Sequence, residues 1–252
     1  LNGGDKWEVL SLSAIDDDGN ALWPSDYPIA RLEQIKGVLP SRDWNSLYQQ
    51  DPIPDEGEYF KTEWFLEYDT LPDDLEFYGA SDYAVTDGDG DYTEHGIFGI
   101  DRVGNLYLAD WWFGKSTSDV WIDAKCDLII KHKPDCWFGE SGVIRRSIEP
   151  FLARRMNERN AICRIEWLAS VAGKESRARG FQGMASMGKI FIPKNAIWKD
   201  HVMSQLIRFP AGKHDDAVDV CSLIGRGLEH INAKRAKYVA PKKAYVQHGW
   251  MG

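Results

Sequence analysis

Acidic residues are the side chains of this sequence best suited to chemistry, and three sets of them have distinctive neighbours. Asp82 lies in "GASDYAV" among small and apolar residues, and Glu140 lies in "WFGESG" between two glycines. Asp215 and Asp216 follow His214 in "AGKHDDAVDV". Hard divalent cations such as Mg²⁺ are held by a few carboxylate oxygens that converge from separate elements. These acids therefore predict a metal site, provided that the fold brings them together.

Each of these acids also has an ordinary structural interpretation. Asp82 can end a strand facing water, and Glu140 can belong to a solvated loop. Acids at the start of a helix cap it and are stabilised there by roughly 0.3–1 kcal/mol each. On a helical wheel Asp216 lies beside apolar residues, whereas Asp215 and Asp219 lie on the polar side. The spacing therefore predicts that Asp216, rather than Asp215, points inward.

Two further motifs suggest ligand binding, and neither has the complete pattern. The run "TDGDGDYTEHG" lacks the spacing and the closing glutamate of a calcium loop, so it is interpreted as a solvated turn with Asp91 as a possible additional ligand. The stretch "FGKSTSD", residues 113–119, resembles the end of a phosphate-binding loop, but Ala109 stands where that loop needs glycine. Nucleotide hydrolysis by this chain is not expected.

The charge of the chain is divided unevenly between its halves. The 252 residues carry a net charge of -9, but residues 1–110 contain 25 acids and 6 bases, whereas residues 111–252 contain 14 acids and 24 bases. Such an asymmetry is typical of proteins with a polyanion-binding face. No apolar run approaches the roughly 20 residues that cross a bilayer, so no membrane partner is expected. The four scattered cysteines predict neither a disulfide framework nor a zinc site.

Hydrophobic periodicity and turn residues predict the elements that position these acids. The order is three strands, a helix, a strand, a helix, a strand and then further helices. The strands are predicted at 75–85, on either side of a turn at 103–105 within 93–114, at 134–141, at 161–168 and, as a short extended piece, at 189–193. The helices are predicted at 116–133, at 145–159 with a kink or restart at Pro150, and at 174–188, 196–209 and 214–231.

This order predicts an α/β fold, a mixed β-sheet with an antiparallel meander and parallel strands, flanked by helices. Residues 1–56 are expected to form an acidic lead-in with two short helices, and residues 57–232 the main domain. Residues 233–252 are expected to form a basic tail.

Several stretches together resemble the C-terminal nuclease region of the large terminase subunit of tailed bacteriophages. They are "SLYQQDPIPDEGEYF", "GASDYAVTDGDGDYTEHGI", "WFGESG", "KESRARGFQGMASMGKIFIPK" and "FPAGKHDDAVDV". The resemblance covers roughly residues 40–228. The "KHDDAVD" helix start and the "SLYQQDP" lead-in are its most specific parts.

The resemblance implies a ribonuclease H-like fold and an endonuclease that cuts concatemeric viral DNA with two divalent cations, Mg²⁺ or Mn²⁺. By motif matching, Asp82, Glu140 and Asp216 correspond to the metal-binding acids, with Asp215 beside them as the other possible ligand. His214 is either a helix-cap residue or a proton-handling residue of the site. Residues 1–56 then correspond to the remnant that connects the nuclease to an upstream ATPase domain, whose Walker motifs this sequence lacks.

The basic residues of the second half are candidates for contact with DNA phosphates. Such contacts supply affinity without sequence specificity, and each residue is equally compatible with a solvated surface. The candidates are Arg145, Arg146, Lys174, Arg177, Arg179, Lys189 and Lys213.

The expected partners are double-stranded DNA, the terminase small subunit, the portal protein and the ATPase domain, in the cytoplasm of an infected bacterial host. Two other functions remain open. One is another ribonuclease H-like DNA-processing enzyme, such as a resolvase or a transposase-like strand transferase. The other is a non-catalytic docking module of the packaging motor, in which the three acids would be replaceable.

Overall fold

The computed structural model describes residues 10–16, 18–39, 41–50, 59–83, 92–171 and 173–237. Asp91 and the tail from residue 238 onward lie outside the described residues. The lead-in contains the two expected helices, α1 (Ile29–Val38) and α2 (Ser41–Leu47). Leu32 and Trp44 are the buried apolar side chains of these helices. Within the described residues, no helix is both long enough and apolar enough to span a membrane.

The main domain is built on one mixed sheet of seven strands. The spatial order is β1-β7-β4-β3-β2-β5-β6. Strands β2, β3 and β4 form the predicted antiparallel meander, and β5 and β6 continue it in parallel with β2. The strands are β1 (Phe65–Tyr68), β2 (Glu76–Asp82), β3 (Thr93–Ile100), β4 (Leu106–Gly114), β5 (Cys136–Ser141), β6 (Arg164–Ala169) and β7 (Ile190–Pro193).

Helices cover both faces of this sheet, because the strands bury side chains on both sides. One face carries α3 (Ser118–His132) and α4 (Val143–Glu158), and the other carries α5 (Lys174–Ser186), α6 (Lys199–Arg208) and α7 (Asp216–Lys237). Helix α7 crosses β2, β3 and β5 and packs against α5. A Cβ atom on Gly225 would lie 2.9 Å from the backbone nitrogen of Phe181, so glycine allows this close helix contact.

Three features differ from the sequence-based prediction. Strand β1 was not predicted, because four residues are too few to show a clear period; it forms by pairing with β7. Helix α4 does not restart at Pro150 but runs through it, and the alternative of a kink there stays a prediction. The exposed position of Pro150 lets water solvate the backbone carbonyl that the proline cannot bond. Helix α7 ends at Lys237, inside the segment that was predicted to be tail from residue 233.

Candidate metal and nuclease site

Two of the predicted acids lie side by side at one end of the sheet. Strands β2 and β5 are parallel, and the last pair in their register is Ser81 with Gly139. Asp82 and Glu140 each follow that pair by one residue. Since side chains alternate along a strand, both acids point to the same face as Ala80 and Phe138, which pack in the core beneath α7. We call this the site end of the sheet: the end at which β2, β5 and β6 finish and β3 begins.

The start of α7 adds further carboxylates at this end. Asp216 is buried, with 6% of its surface exposed, which agrees with the inward direction that the helical wheel predicted. Burial raises the pKa of Asp82 well above its usual value, and the negative charges of Asp219, Asp216 and Glu94 raise it further. The acids of β2, β3 and α7 therefore repel one another across a short distance, which is the electrostatic condition that favours a bound cation.

Asp219 belongs to this cluster, although the helical wheel placed it on the polar side of α7. Its two carboxylate oxygens accept hydrogen bonds from Arg177 Nη2 at 2.9 and 3.2 Å. Burial raises the pKa of Asp219, and the Arg177 guanidinium opposes that rise. The separation of three residues between Asp216 and Asp219 places both on adjacent turns of one helix face, and this was the signal in the sequence that could have identified Asp219.

Asp215 points in a different direction from Asp216. Its carboxylate forms an ion pair with Lys174 Nζ at 2.5 Å, across to the first residue of α5. Lys174 was one of the candidates for DNA contact, and Arg177 one turn further along α5 was another. The geometry favours Asp216 over Asp215 as the residue that faces the acids of the sheet.

Glu94 is a buried acid of the site that the sequence-based prediction did not include. It pairs directly with Asp82 in the antiparallel register of β2 and β3, and it is completely buried. Its Oε2 accepts a hydrogen bond from Trp111 Nε1 at 2.7 Å, and its Oε1 accepts bonds from His201 Nε2 at 2.7 Å and Gln205 Nε2 at 2.9 Å. Glu94 therefore joins β3, β4 and α6.

Gln205 extends this network to the start of α7. Its Oε1 accepts the backbone N–H of Ala217 at 2.9 Å, which fixes the orientation of its amide group. The N–H of Ala217 is one of the donors at a helix start that lack a partner within the helix. Through Gln205, the buried carboxylate of Glu94 thus holds the turn of α7 that carries Asp216.

His214 packs at the rim of the site. Its ring meets Tyr92 edge-on at 5.6 Å, and Tyr92 also meets the ring of His201 at 5.4 Å. Lys115 Nζ lies 4.9 Å from the centre of the Tyr92 ring. His201 stacks on Phe113 at 3.7 Å. This arrangement places His214 in an aromatic cluster next to the start of α7, and its role in proton handling stays a prediction.

The predicted DNA-contacting residues are spread over the molecule. Lys174 and Arg177 lie beside the acids of α7, whereas Arg145 pairs with Glu149 on α4 and lies over the Trp167 ring. Lys189 precedes β7, whose first residue pairs with the first residue of β4, so it lies at the opposite end of the sheet from the acids. The remaining candidates are exposed, and they are Arg146, Arg179 and Lys213.

The donor set suits a hard divalent cation, although its arrangement is not that of a preformed site. In the described part of the chain, no three side chains of His, Cys, Asp or Glu are already grouped as metal ligands. Glu140 Oε1 is buried and has no hydrogen-bond partner among the described residues. A buried carboxylate oxygen without a donor is costly unless a cation binds it. The carboxylates of Asp82, Glu140 and Asp216 therefore fit the predicted metal by their chemistry.

Comparison with known proteins identifies the fold. No family model and no curated protein matches the sequence. The structure is similar to that of the large terminase of a thermophilic bacteriophage, with a TM-score of 0.50 and 11% sequence identity. The chain has the ribonuclease H-like fold of a large terminase. The match covers 79% of this chain and 51% of the phage protein, so the chain spans about half the length of that terminase.

Two nuclease domains are among the other similar structures. One is the large terminase nuclease of thermophilic phage G20c with bound magnesium, at 15% identity, a TM-score of 0.46 and coverage of 69% of this chain and 98% of that chain. The other is the human cytomegalovirus terminase nuclease domain, at 14% identity, a TM-score of 0.46 and coverage of 77% and 96%. The ribonuclease H-like fold expected from the sequence motifs is confirmed by the similarity to the phage large terminase at a TM-score of 0.50.

Proposed function

We propose that this chain is the nuclease domain of a large terminase, a divalent-metal-dependent endonuclease that cuts concatemeric viral DNA during genome packaging. One observation carries the proposal: the sheet aligns Asp82 with Glu140, and α7 adds Asp216 to the same end. Burial, and after it the negative charges of Asp219 and Asp216, raise the pKa of Asp82, and a bound cation would offset that rise.

Two divalent cations, Mg²⁺ or Mn²⁺, would be held by Asp82, Glu140 and Asp216, with Asp215 as the other candidate on α7. When bound, such ions activate a water molecule for attack on the phosphorus and stabilise the leaving oxygen. The chain itself supplies the positioning. Gln205 fixes the first turn of α7 by its bond to the Ala217 N–H.

Basic residues on α5 would attract the DNA backbone to this acidic end. Arg177 offsets the negative charge of Asp219, and Lys174 offsets that of Asp215. The side of the site next to α5 would therefore repel DNA phosphates less than unpaired acids would. Contacts with DNA phosphates do not depend on the base sequence of the DNA. This suits a cutting reaction whose position is set by partners, which we propose to be the small subunit, the portal protein and an ATPase domain in the cytoplasm of the infected host.

The test is cleavage of supercoiled plasmid by the purified chain in Mn²⁺, in Mg²⁺ and in EDTA. Native protein is expected to nick and linearise the plasmid only with a metal, and Asp82→Asn and Asp216→Asn are expected to abolish cleavage. Asp73→Asn is the matched control, since Asp73 is exposed and precedes β2 at the opposite end of the sheet. Cleavage that survives both site substitutions would contradict the proposed site. A native protein that cuts under no condition would favour the docking module.

A further inference from the structure

Arg226 is a basic residue of α7 that lies next to the carboxylates and that the sequence motifs did not indicate. It follows Asp219 by two helical turns, on the same side of the helix. Its Nη2 donates a hydrogen bond to the backbone carbonyl of Ala169, the last residue of β6. Strands β5 and β6 pair Ser141 with Ala169 and Glu140 with Leu168. The guanidinium therefore lies at the site end of the sheet, one strand away from Glu140.

The charges that act on Arg226 include that of Glu140. Burial lowers the pKa of the Arg226 guanidinium, and the largest opposing effect is the negative charge of Glu140, with smaller ones from Glu229 and Asp219. Arg177 acts in the same direction as burial. Arg177 forms an ion pair with Asp219 at 2.9 Å.

Two buried atoms of opposite charge lack partners in this region. Arg226 Nη1 and Glu140 Oε1 are each buried without a hydrogen-bond partner among the described residues. A charged donor or acceptor that is buried and unsatisfied costs more free energy than a neutral one in the same position. An occupant that offers positive charge to Glu140 and negative charge to Arg226 would satisfy both atoms.

Arg226 also lines an open groove. This groove of about 750 Å³ runs between β6 and α7, and it is lined by Glu166, Trp167, Leu168 and Ala169 of β6 together with Arg226, Glu229 and His230 of α7. Arginine presents five N–H donors in a planar fork and is the side chain best matched to phosphate oxygens. With Nη2 fixed on Ala169, the orientation of Nη1 is fixed as well.

We propose that Arg226 binds a backbone phosphate of the DNA through its guanidinium, next to the cation held by Glu140. This inference rests on the proposed nuclease function for the identity of the substrate. It adds a substrate-binding residue on α7, outside the basic residues of α4 and α5 that the sequence indicated. Its alternative is a purely structural role, in which Arg226 only ties α7 to β6.

The experiment is binding of a labelled DNA duplex by the native chain in EDTA, over a series of salt concentrations. Arg226→Gln should weaken binding about tenfold at low salt and reduce the slope of log affinity against log salt by about 0.9, the value for one phosphate contact on B-DNA. Arg226→Lys keeps the charge and should keep the slope while losing part of the affinity. Arg154→Gln is the control, because Arg154 is exposed on α4 and pairs with Glu158.

The outcomes distinguish phosphate binding by Arg226 from a structural role, and they test this proposal separately from the nuclease function. Unchanged affinity and slope in Arg226→Gln, with a lowered melting temperature, would overturn the proposal and leave a structural tie. Native protein that fails to bind the duplex would also overturn it. A reduced slope in Arg226→Gln combined with native protein that cuts no plasmid would support the phosphate contact and contradict the nuclease.

Discussion

Asp82 and Glu94 stand directly opposite each other in the antiparallel pair of β2 and β3. Two like charges directly opposite each other on neighbouring strands destabilise a sheet. The two acids have different surroundings. Glu94 is completely buried and accepts three hydrogen bonds from side chains of β4 and α6, including that of His201. The negative charge of Glu94 is one of the causes that raise the pKa of Asp82. Glu94 therefore ties β3 to β4 and α6, whereas Asp82 is the acid that we propose to bind the metal.

Divalent cations should stabilise the folded chain. Because a ligand that binds only the folded state adds RT ln(1 + [L]/Kd), a metal at 100 times its Kd adds about 2.7 kcal/mol to the free energy of unfolding. We expect Mn²⁺ or Mg²⁺ to raise the melting temperature of native protein and of Asp73→Asn. EDTA should reverse the rise, and Asp82→Asn and Asp216→Asn should lack it. An equal rise in all four proteins would mean that the metal binds elsewhere.

Asp219 should matter more than Asp215 for metal-dependent cleavage. After burial, the negative charge of Asp219 is the largest cause that raises the pKa of Asp82, whereas Asp215 is paired with Lys174. Substitution of a residue that supports metal ligands typically costs about 10–100-fold in metal affinity or activity. We expect Asp219→Asn to lower cleavage in a Mn²⁺ titration by at least about tenfold, and Asp215→Asn to lower it less. The reverse order would mean that Asp215 faces the metal.

Gln205 should affect both stability and cleavage. Gln205→Met is close in shape but loses the bond to Glu94, whose Oε1 still accepts from His201. The variant also leaves the buried N–H of Ala217 unsatisfied, at a cost of about 1–3 kcal/mol. We expect lower stability in urea and lower cleavage, since the first turn of α7 is no longer held. Gln182→Met loses a bond to the Tyr59 carbonyl. This control should lose stability and keep cleavage, and equal cleavage in both variants would contradict the positioning role of Gln205.

A buried lysine on the other face of the sheet should make stability depend on pH. Lys125 is completely buried, donates to the Tyr83 hydroxyl at 2.8 Å and lies over the Trp137 ring. Burial lowers the pKa of Lys125 to about 7. In the unfolded chain lysine keeps its proton up to about pH 10.4. Between these values the unfolded state binds more protons than the folded state, so stability should rise with pH from about 7 towards 10.

Lys125→Met tests this relationship. Removal of the ionisable group should abolish that rise in stability between pH 7 and 10, and replacement of a buried charge by an apolar side chain is often stabilising by about 1–4 kcal/mol near neutral pH. The measurement is urea unfolding at several pH values. Lys131→Met is the control, because Lys131 is largely exposed and pairs with Asp110. A slope that persists in Lys125→Met would assign the pH dependence to another group.

Much of the fold follows from local sequence patterns. Alternation in 75–85 and 93–114, with a turn at 103–105, predicts the meander, and helical spacing with capping residues predicts α3, α5 and α7. The position of Asp82 and Glu140 at one end of the sheet was also predictable. Each acid ends an apolar strand, and parallel neighbouring strands finish at the same end of a sheet. Strand β1 was missed because it is short and is defined by its pairing with β7.

The sequence by itself determined the helices and strands of the main domain apart from β1, and it placed Asp82, Glu140 and Asp216 at the ends of their elements. Only the tertiary structure decided that Glu94, Asp219 and Arg226 lie at the same end of the sheet as Asp82 and Glu140. A helical wheel distinguishes apolar from polar faces, but it does not reveal that the polar side of α7 faces other acids and arginines across the end of a sheet. Burial and the distance between charges depend on how α5, α6 and α7 pack. These two quantities decide which carboxylates are paired with basic residues of the protein and which would be stabilised by a bound cation.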